Sequence, residues 1–335
     1  MSYRAGIVGF RGYSGEELAG ILEKHGHVTP YLLEHRADSQ DRARPLGYEG
    51  PARIACKPEA VREANLDVVF LATPPEVSMD VTPWLLEAGA KVIDLSGAFR
   101  LRTVENYKKW YKEEHTQGGL LDEAVYGLPE FYRERIAGAR LISNPGCYPT
   151  AANLALRPLV AAGVVDKQYG VVCDAKSGVS GAGRKPSLKT SYCEVTENFS
   201  AYSILDHRHV PEVLMNAELS ESEFSFTAHL LPLHRGILET IYLRTVNVGA
   251  AQELVEIYQR FYADSPFVRI YAPGQVPDLA AVQRTNFCDI GLKWDPISRR
   301  TVIVSAIDNL GKGAAGQAVQ NMNLVLGLPE AEGLL

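Results

Sequence analysis

Cys147 lies within Ser143-Asn144-Pro145-Gly146-Cys147-Tyr148-Pro149-Thr150, the stretch of the 335-residue chain best suited to covalent chemistry. A cysteine attacks activated carbonyls as its thiolate, so its surroundings must favour the anion. Ala139-Arg140-Leu141-Ile142 reads as the end of a buried strand, and Ala151 to Ala162 as a helix rich in Ala and Leu. Cys147 therefore falls on a strand-to-helix turn, at or just before a helix N-terminus. Pro145 fixes φ there, and Gly146 accepts backbone angles that other residues resist. Unpaired N–H groups and the positive end of the helix dipole then favour a thiolate. The alternative use of such a position is a small buried cysteine that only packs.

A cysteine nucleophile needs a base. Of eight histidines, His25, His27 and His35 fall in the N-terminal half and His115 in a charged excursion, leaving His207, His209, His229 and His234. Asp206-His207-Arg208-His209-Val210-Pro211-Glu212 is the densest polar cluster of the C-terminal half. If extended, it puts His207 and His209 on one face, and Glu212 could orient an imidazole. Paired histidines also bind metals, but no third ligand stands at a fitting spacing, so no metal is expected. A purely structural histidine cluster is the other reading. In Asp174 to Arg184, small residues, hydroxyls and two cations suit an anionic substrate, or an ordinary flexible loop.

These groups need elements to hold them. Ala5-Gly6-Ile7-Val8 reads as a strand feeding Gly9-Phe10-Arg11-Gly12-Tyr13-Ser14-Gly15, and Glu16 to His25 as a helix with Leu18, Ile21, Leu22 and His25 on one face. A strand, a glycine turn and a helix in this order open a dinucleotide-binding fold, in which the pyrophosphate meets glycine backbone and a helix N-terminus. Gly9, Gly12, Tyr13, Ser14 and Gly15 are the cofactor candidates, although G-x-x-G-x-x-G departs from the usual spacing. The second strand, Val28 to Leu33, ends in Glu34-His35-Arg36. An acid there binds the ribose hydroxyls of NAD and a base accommodates the extra phosphate of NADP. His35 and Arg36 favour NADP; solvated loop charges are the alternative.

Asp67 to Ala72 is a further strand, ending in Thr73-Pro74-Pro75, followed by a helix from Glu76 to Gly89. Lys91 to Leu95 is the next strand, ending in Ser96. Strand C-termini line the cofactor crevice of an open α/β sheet, which adds Thr73, Pro74 and Ser96. Asn106 to His115 reads as a surface helix or excursion. The fold class is α/β: a doubly wound dinucleotide-binding domain, followed by an α+β catalytic domain with a mixed sheet. In that second domain strands are expected at Gln168–Asp174, Glu223–Leu230, Ile237–Val246, Phe287–Trp294 and Thr301–Ile307, with Ala251–Tyr262 the one clear helix. Small residues from Asp308 to Gly316 lead into a last helix, Gln317 to Leu326.

A net charge of −6 without a basic block argues against nucleic acid as the partner. No apolar stretch is long enough to span a bilayer, and the first residues run straight into a strand, so neither a membrane nor a signal peptide is expected. Five scattered cysteines without Cys-x-x-Cys predict neither disulfides nor zinc, and place the protein in the cytoplasm. A nicotinamide cofactor beside a cysteine nucleophile has a specific use. Thiolate attack gives a thioester, and hydride adds to or leaves the thioester-level carbon, so acyl-phosphate reduction and aldehyde oxidation are the two directions of one reaction.

With these residues in place, the chain resembles the N-acetyl-γ-glutamyl-phosphate reductase family of arginine biosynthesis, related to aspartate-semialdehyde dehydrogenases. The resemblance runs nearly end to end. It is carried by the Gly9-to-Gly15 turn, Asp94-Leu95-Ser96 with Phe99-Arg100, Ala124 to Pro129, Asn144 to Thr150, His207-Arg208-His209 with Pro211-Glu212, Arg235 to Leu238, and Lys312 to Ala318. It implies that Cys147 attacks the acyl phosphate, that NADPH reduces the thioester, and that His209 is the acid/base, oriented by Glu212, with His207 in reserve. It further implies a phosphate-binding role for Arg100, a substrate contact at Ser177 rather than Ser180, and Asn309 near the nicotinamide. The C-terminal helix then returns to the first domain, so residues 1–148 and 308–335 form the NADP-binding domain, and 149–307 the catalytic and oligomerisation domain of a homo-oligomer, dimer or tetramer. Gly97-Ala98 and Thr73 to Glu76 differ from the family's commoner pattern. They leave open a longer aminoadipyl phosphate, free or carrier-bound, as in lysine-pathway relatives. From a different class, a non-catalytic NADP-binding redox regulator also stays open.

Overall fold

A computed structural model describes residues 2–35, 46–47 and 50–335. Arg36 lies outside the described residues. The chain divides into two compact units, one running to Pro145 and taking in Ala314–Leu335, the other Gly146–Gly313.

The first unit holds a seven-stranded sheet: β1 (Tyr3–Val8), β2 (Val28–Glu34), β3 (Ala52–Ala55), β4 (Val68–Leu71), β5 (Lys91–Asp94), β6 (Val125–Tyr126) and β7 (Leu141–Ser143). Every pairing is parallel, in the order β3-β2-β1-β4-β5-β7-β6. Val68-Val69-Phe70-Leu71 is buried at all four positions, as a central parallel strand covered on both faces must be. One face packs Ile7 and Phe70 on Leu18 and Leu22 of α1 (Tyr13–Leu22) and on Val319 and Met322 of the C-terminal helix, Gly316–Leu326. The opposite face packs Val8, Val69 and Leu71 beneath α2 (Pro58–Glu63), α3 (Pro75–Glu87) and α4 (Val104–Tyr111). A nine-residue helix, α5 (Pro129–Ala137), leads into β7. The strand order reverses between β1 and β4, the switch point at which such sheets bind ligands.

The helix expected on the surface near Asn106 is α4, anchored there by one buried residue. Tyr107 is fully buried, stacks on Tyr111 at 4.6 Å and meets the edge of His115. Its sequence is polar because only one face turns inward.

The second unit has a seven-stranded mixed sheet: β8 (Val171–Gly178), β9 (Ser200–Tyr202), β10 (Phe224–Leu231), β11 (Ile237–Arg244), β12 (Val268–Ile270), β13 (Cys288–Trp294) and β14 (Arg300–Ile307). The order is β12-β13-β14-β11-β8-β10-β9, with β8/β10 and β12/β13 parallel and the other pairs antiparallel. The long helix α6 (Cys147–Ala161) lies on one face, where Ser305 Oγ donates to Ala151 O at 3.1 Å. β11 alternates as a sheet with one covered face should: Ile237, Glu239, Ile241 and Leu243 are buried, while Tyr242 is 44% exposed.

Two short helices join the expected α9 (Ala251–Phe261): α7 (Tyr192–Val195) and α8 (Val210–Ala217). The second corrects the extended reading of the histidine cluster. His209 has helical angles (φ −85°, ψ −12°) at the cap of α8, and Pro211 sits in the first turn, where a missing N–H costs nothing.

Candidate active site

Cys147 is the first residue of α6, and Gly146, extended at φ −66° and ψ 152°, is its N-cap. No side chain of the helix caps this end; the Gly146 N–H donates instead to Glu212 Oε2, at 2.9 Å, from the fully buried Glu212 of α8. The backbone of Gly313 also closes on the cysteine. A Cβ there would stand 2.9 Å from Cys147 Cβ, so only glycine lets the chain pass this close.

The histidines are brought together by a turn rather than a strand. His207 and His209 are 6% and 8% exposed, with ring centroids 4.9 Å apart. His207 Nδ1 accepts the His209 N–H at 3.2 Å, which leaves the proton of the neutral ring on Nε2. Burial, with help from the neighbouring Arg208 cation, pushes His207 down to about 4, so it is uncharged at neutral pH. The ring of Tyr148 meets both imidazoles, at 5.5 Å from His207 and 6.0 Å from His209.

Ser177 and Ser180 are both buried; Ser177 Oγ donates to Gly178 O at 3.0 Å. Asn309 belongs to the second unit. Its Nδ2 donates to Ser180 Oγ at 2.9 Å, and its Oδ1 accepts the Gly236 N–H at 2.6 Å. Beside it, Asp308 accepts the N–H groups of Leu310 and Gly311 and pairs with Arg235 at 2.7 Å. The pairing of Arg235 with Asp308 could not be read from the segments that contain them, because an Arg–Asp pair 73 residues apart leaves no local signal. Of the other histidines, His229 lies on β10 against Asp174, at 3.1 Å.

In the first unit the glycine turn divides by role. Gly9 has φ +81°, and a Cβ on it would stand 2.2 Å from Ala72 O; one on Gly15 would stand 2.4 Å from Gly9 O. The fold alone requires both. A Cβ on Gly12 would lie 3.4 Å from its nearest neighbour, Gly9 O, an ordinary contact, so packing does not demand glycine there. Gly12 caps α1, followed by Tyr13 and Ser14 at the helix N-terminus. A glycine kept bare at a helix start fits the close approach of a pyrophosphate. At the strand ends, Thr73 Oγ1 shares a 2.8 Å hydrogen bond with Ser78 Oγ, and Pro74 caps α3. Ser78 and Ser96 both donate to Asp94, at 2.7 and 2.8 Å. Burial pushes the Asp94 carboxyl above its usual range, against these bonds.

Arg100 is 6% exposed, with Nε donating to Asn144 O at 2.8 Å and Nη2 to Leu95 O at 2.7 Å. His35 is exposed. Sequence reasoning missed a pair at the end of β2: Arg11 and Arg53 both reach Glu34 Oε1, at 3.2 and 3.3 Å, and both lie over the Phe10 ring. The parallel β2/β3 pairing, Leu32 with Arg53, is what brings Arg53 there.

Two family models match, a semialdehyde dehydrogenase NAD binding domain over residues 4–139 and a semialdehyde dehydrogenase dimerisation domain over residues 147–309. The chain is 47% identical to the N-acetyl-gamma-glutamyl-phosphate reductase of Symbiobacterium thermophilum, covering 100% of this chain and 98% of that one. It is 45% identical to the same-named protein of Geobacillus stearothermophilus, over 98% and 96% of the two chains. The chain belongs to the N-acetyl-γ-glutamyl-phosphate reductase family. Among solved structures, this reductase-family chain shares its fold with aspartate semialdehyde dehydrogenase II of Vibrio cholerae, complexed with ASA (TM-score 0.72, 18% identity, 98% and 99% covered). The Candida albicans aspartate semialdehyde dehydrogenase, solved with NADP, gives 0.68 at 18% identity, with 97% and 99% covered. The chain is an oxidoreductase of the NAD(P)-binding class, and the bare Gly12 at the start of α1 is consistent with that. Among the described residues, no helix is long and apolar enough to cross a membrane.

Proposed function

We propose that the chain reduces N-acetyl-γ-glutamyl phosphate to N-acetylglutamate semialdehyde through a thioester on Cys147. The observation that carries this reading is the placement of Cys147 at the first position of α6, with Glu212, from the segment bearing His207 and His209, bonded to the preceding N–H. The helix start favours the thiolate, which attacks the acyl carbon. The carbon–oxygen bond to phosphate breaks as the carbon–sulfur bond forms. The overall reduction consumes one proton. His209 gives it to the departing phosphate, with His207 in reserve. Bound NADPH supplies the hydride. The resulting thiohemiacetal alkoxide expels the Cys147 thiolate and leaves the aldehyde.

Glu212 holds the histidine segment to the nucleophile's helix, Ser177 contacts substrate, and Arg100 binds its phosphate. Gly12 with the N–H groups of Tyr13, Ser14 and Gly15 receives the pyrophosphate of the cofactor, between Gly9 on one side and Thr73, Pro74 and Ser96 at the neighbouring strand ends. Arg11 and Arg53, with His35, meet the extra phosphate of NADP. The protein works as a homo-oligomer through the open face of the mixed sheet, where Val172 and Tyr242 are 46% and 44% exposed. None of the five cysteines forms a disulfide, which suits the reducing cytoplasm.

The test is the reverse reaction. N-acetylglutamate semialdehyde, phosphate and NADP should give phosphate-dependent NADPH absorbance that Cys147→Ala abolishes. Turnover of the aminoadipate analogue alone would keep the mechanism and change the substrate. Silence with both substrates would overturn the reading.

A further inference from the structure

We infer that Tyr148 is a positioning residue that, together with the Gly146 backbone, holds the histidine segment in register with the nucleophile between them. This rests on the reading of Cys147 and His209 given above.

The geometry is a grip at two points. On the N-terminal side of Cys147, the Gly146 N–H holds Glu212, just beyond the histidines. On the C-terminal side, the Tyr148 hydroxyl holds Tyr202, just before them, at 3.2 Å. One hydroxyl proton serves each tyrosine. Tyr148 donates its own to His229 O at 3.1 Å, and so accepts from Tyr202. Tyr202 ends β9, which pairs with β10 through Ala228, His229 and Leu230. The preceding stretch carries Leu188, Tyr192 and Phe199 at 77%, 78% and 55% exposure, so Tyr202 is where this exposed excursion is tied back to the site.

The ring of Tyr148 completes the arrangement. It stands at 90° to His207 and packs on Phe226 at 5.4 Å, while Tyr202 covers another side of His207 at 5.5 Å. His207 in turn accepts the backbone N–H of His209. A shift of Tyr148 or Tyr202 therefore passes through His207 to His209 without either tyrosine having to touch substrate.

Tyr148→Phe and Tyr202→Phe keep both rings and remove the shared bond. Each should lower kcat in the semialdehyde assay about tenfold with KM little changed, since misplaced catalytic groups cost rate rather than binding. Tyr202→Phe should cost nothing further once Tyr148 is Phe. A second readout needs no substrate: the pH dependence of iodoacetamide alkylation, followed on the Cys147 peptide by mass spectrometry. Its rise with pH should move upward by about one unit in either variant, because a displaced histidine segment stabilises the thiolate less. Tyr262→Phe, which removes a buried hydroxyl bonded to Leu154 O in the same unit, should lower Tm and move neither profile. Wild-type alkylation profiles in both variants, additive losses in the double variant, or a Tyr262→Phe profile shifted like theirs would overturn the proposal. If no semialdehyde turns over but the alkylation shifts appear, the substrate reading fails and the grip stands.

Discussion

The Gly146 N–H donates to Glu212 Oε2 at 2.9 Å, so a buried carboxylate from one helix is bonded to the N-cap residue of the helix that begins with the nucleophile. A carboxylate beside a helix N-terminus gains from the dipole, and the bond is charge-assisted. Glu212→Gln keeps the shape and loses the charge. It should destabilise the protein by about 1–3 kcal/mol in urea titrations, and lower kcat more than it raises KM. A variant with wild-type stability and kcat would show that the bond orders nothing.

Stability should fall as the solution is acidified through the His207 range. Its folded-state value is about 4 against an ordinary 6.5. The unfolded chain therefore takes up the proton first, and the stabilisation present above 6.5 is lost as pH falls toward 4, on the order of 3 kcal/mol. Urea midpoints at pH 7.5 and pH 4.5 measure it. His207→Phe should flatten the difference.

Glu239 points the opposite way. It is fully buried on β11, accepts the Cys173 thiol at 3.6 Å, and is held well above its ordinary 4.5 by burial. The folded state keeps a proton that the unfolded chain gives up, so this group's contribution is complete below 4.5 and is lost as pH rises beyond it. Glu239→Gln should therefore gain on the wild type between pH 4.5 and pH 8, by about 1–3 kcal/mol in denaturation free energy. Parallel curves for the two proteins would contradict this.

Gly97 should be tolerant of change only when Tyr111 is altered with it. A Cβ at Gly97 would lie 2.0 Å from the Tyr111 hydroxyl and 2.3 Å from its ring carbon. Gly97→Ala should cost about 1–3 kcal/mol, as overpacking does, and displace the loop from Ser96 to Arg100. In a Tyr111→Ala background the same substitution should be nearly silent. A double-mutant cycle by thermal unfolding reads the coupling.

Arg53→Ala should raise KM for NADPH by about tenfold or more and leave KM for NADH nearly unchanged, because a charge-assisted contact to the extra phosphate is lost. Equal effects on both cofactors would place Arg53 outside that role.

The parts of the fold that could be read from sequence are those whose signal is local. The β1–turn–α1 opening shows in the glycine spacing and the helical face of Leu18 and Leu22, and β4 shows as an unbroken apolar run. The nucleophile's turn shows because Pro145 and Gly146 sit between an apolar run and an Ala-rich helix. What stayed hidden is long-range or short. Tyr148 meets Tyr202 across 54 residues and Arg53 meets Glu34 across 19, so neither pair leaves a spacing to recognise. α8 has eight residues and carries Pro211 in its first turn, so it reads as an extended polar stretch until the buried Val210 and Val213 give it an inner face. α4 looks like surface because one buried tyrosine, Tyr107, carries most of its packing.

The last helix of the chain supplies Val319, Met322 and Val325 to a core that otherwise belongs to the first 145 residues. On the ribosome this separates the two units in time. Gly146–Gly313 is continuous and has all its strands once Ile307 has emerged, whereas the sheet that begins at Tyr3 waits with an open apolar flank until Val325 has emerged too. A chain cut short before Gly316 therefore carries a finished nucleophile-bearing unit beside an unsealed nucleotide fold, and becomes a substrate for chaperones and proteases rather than a partly working enzyme.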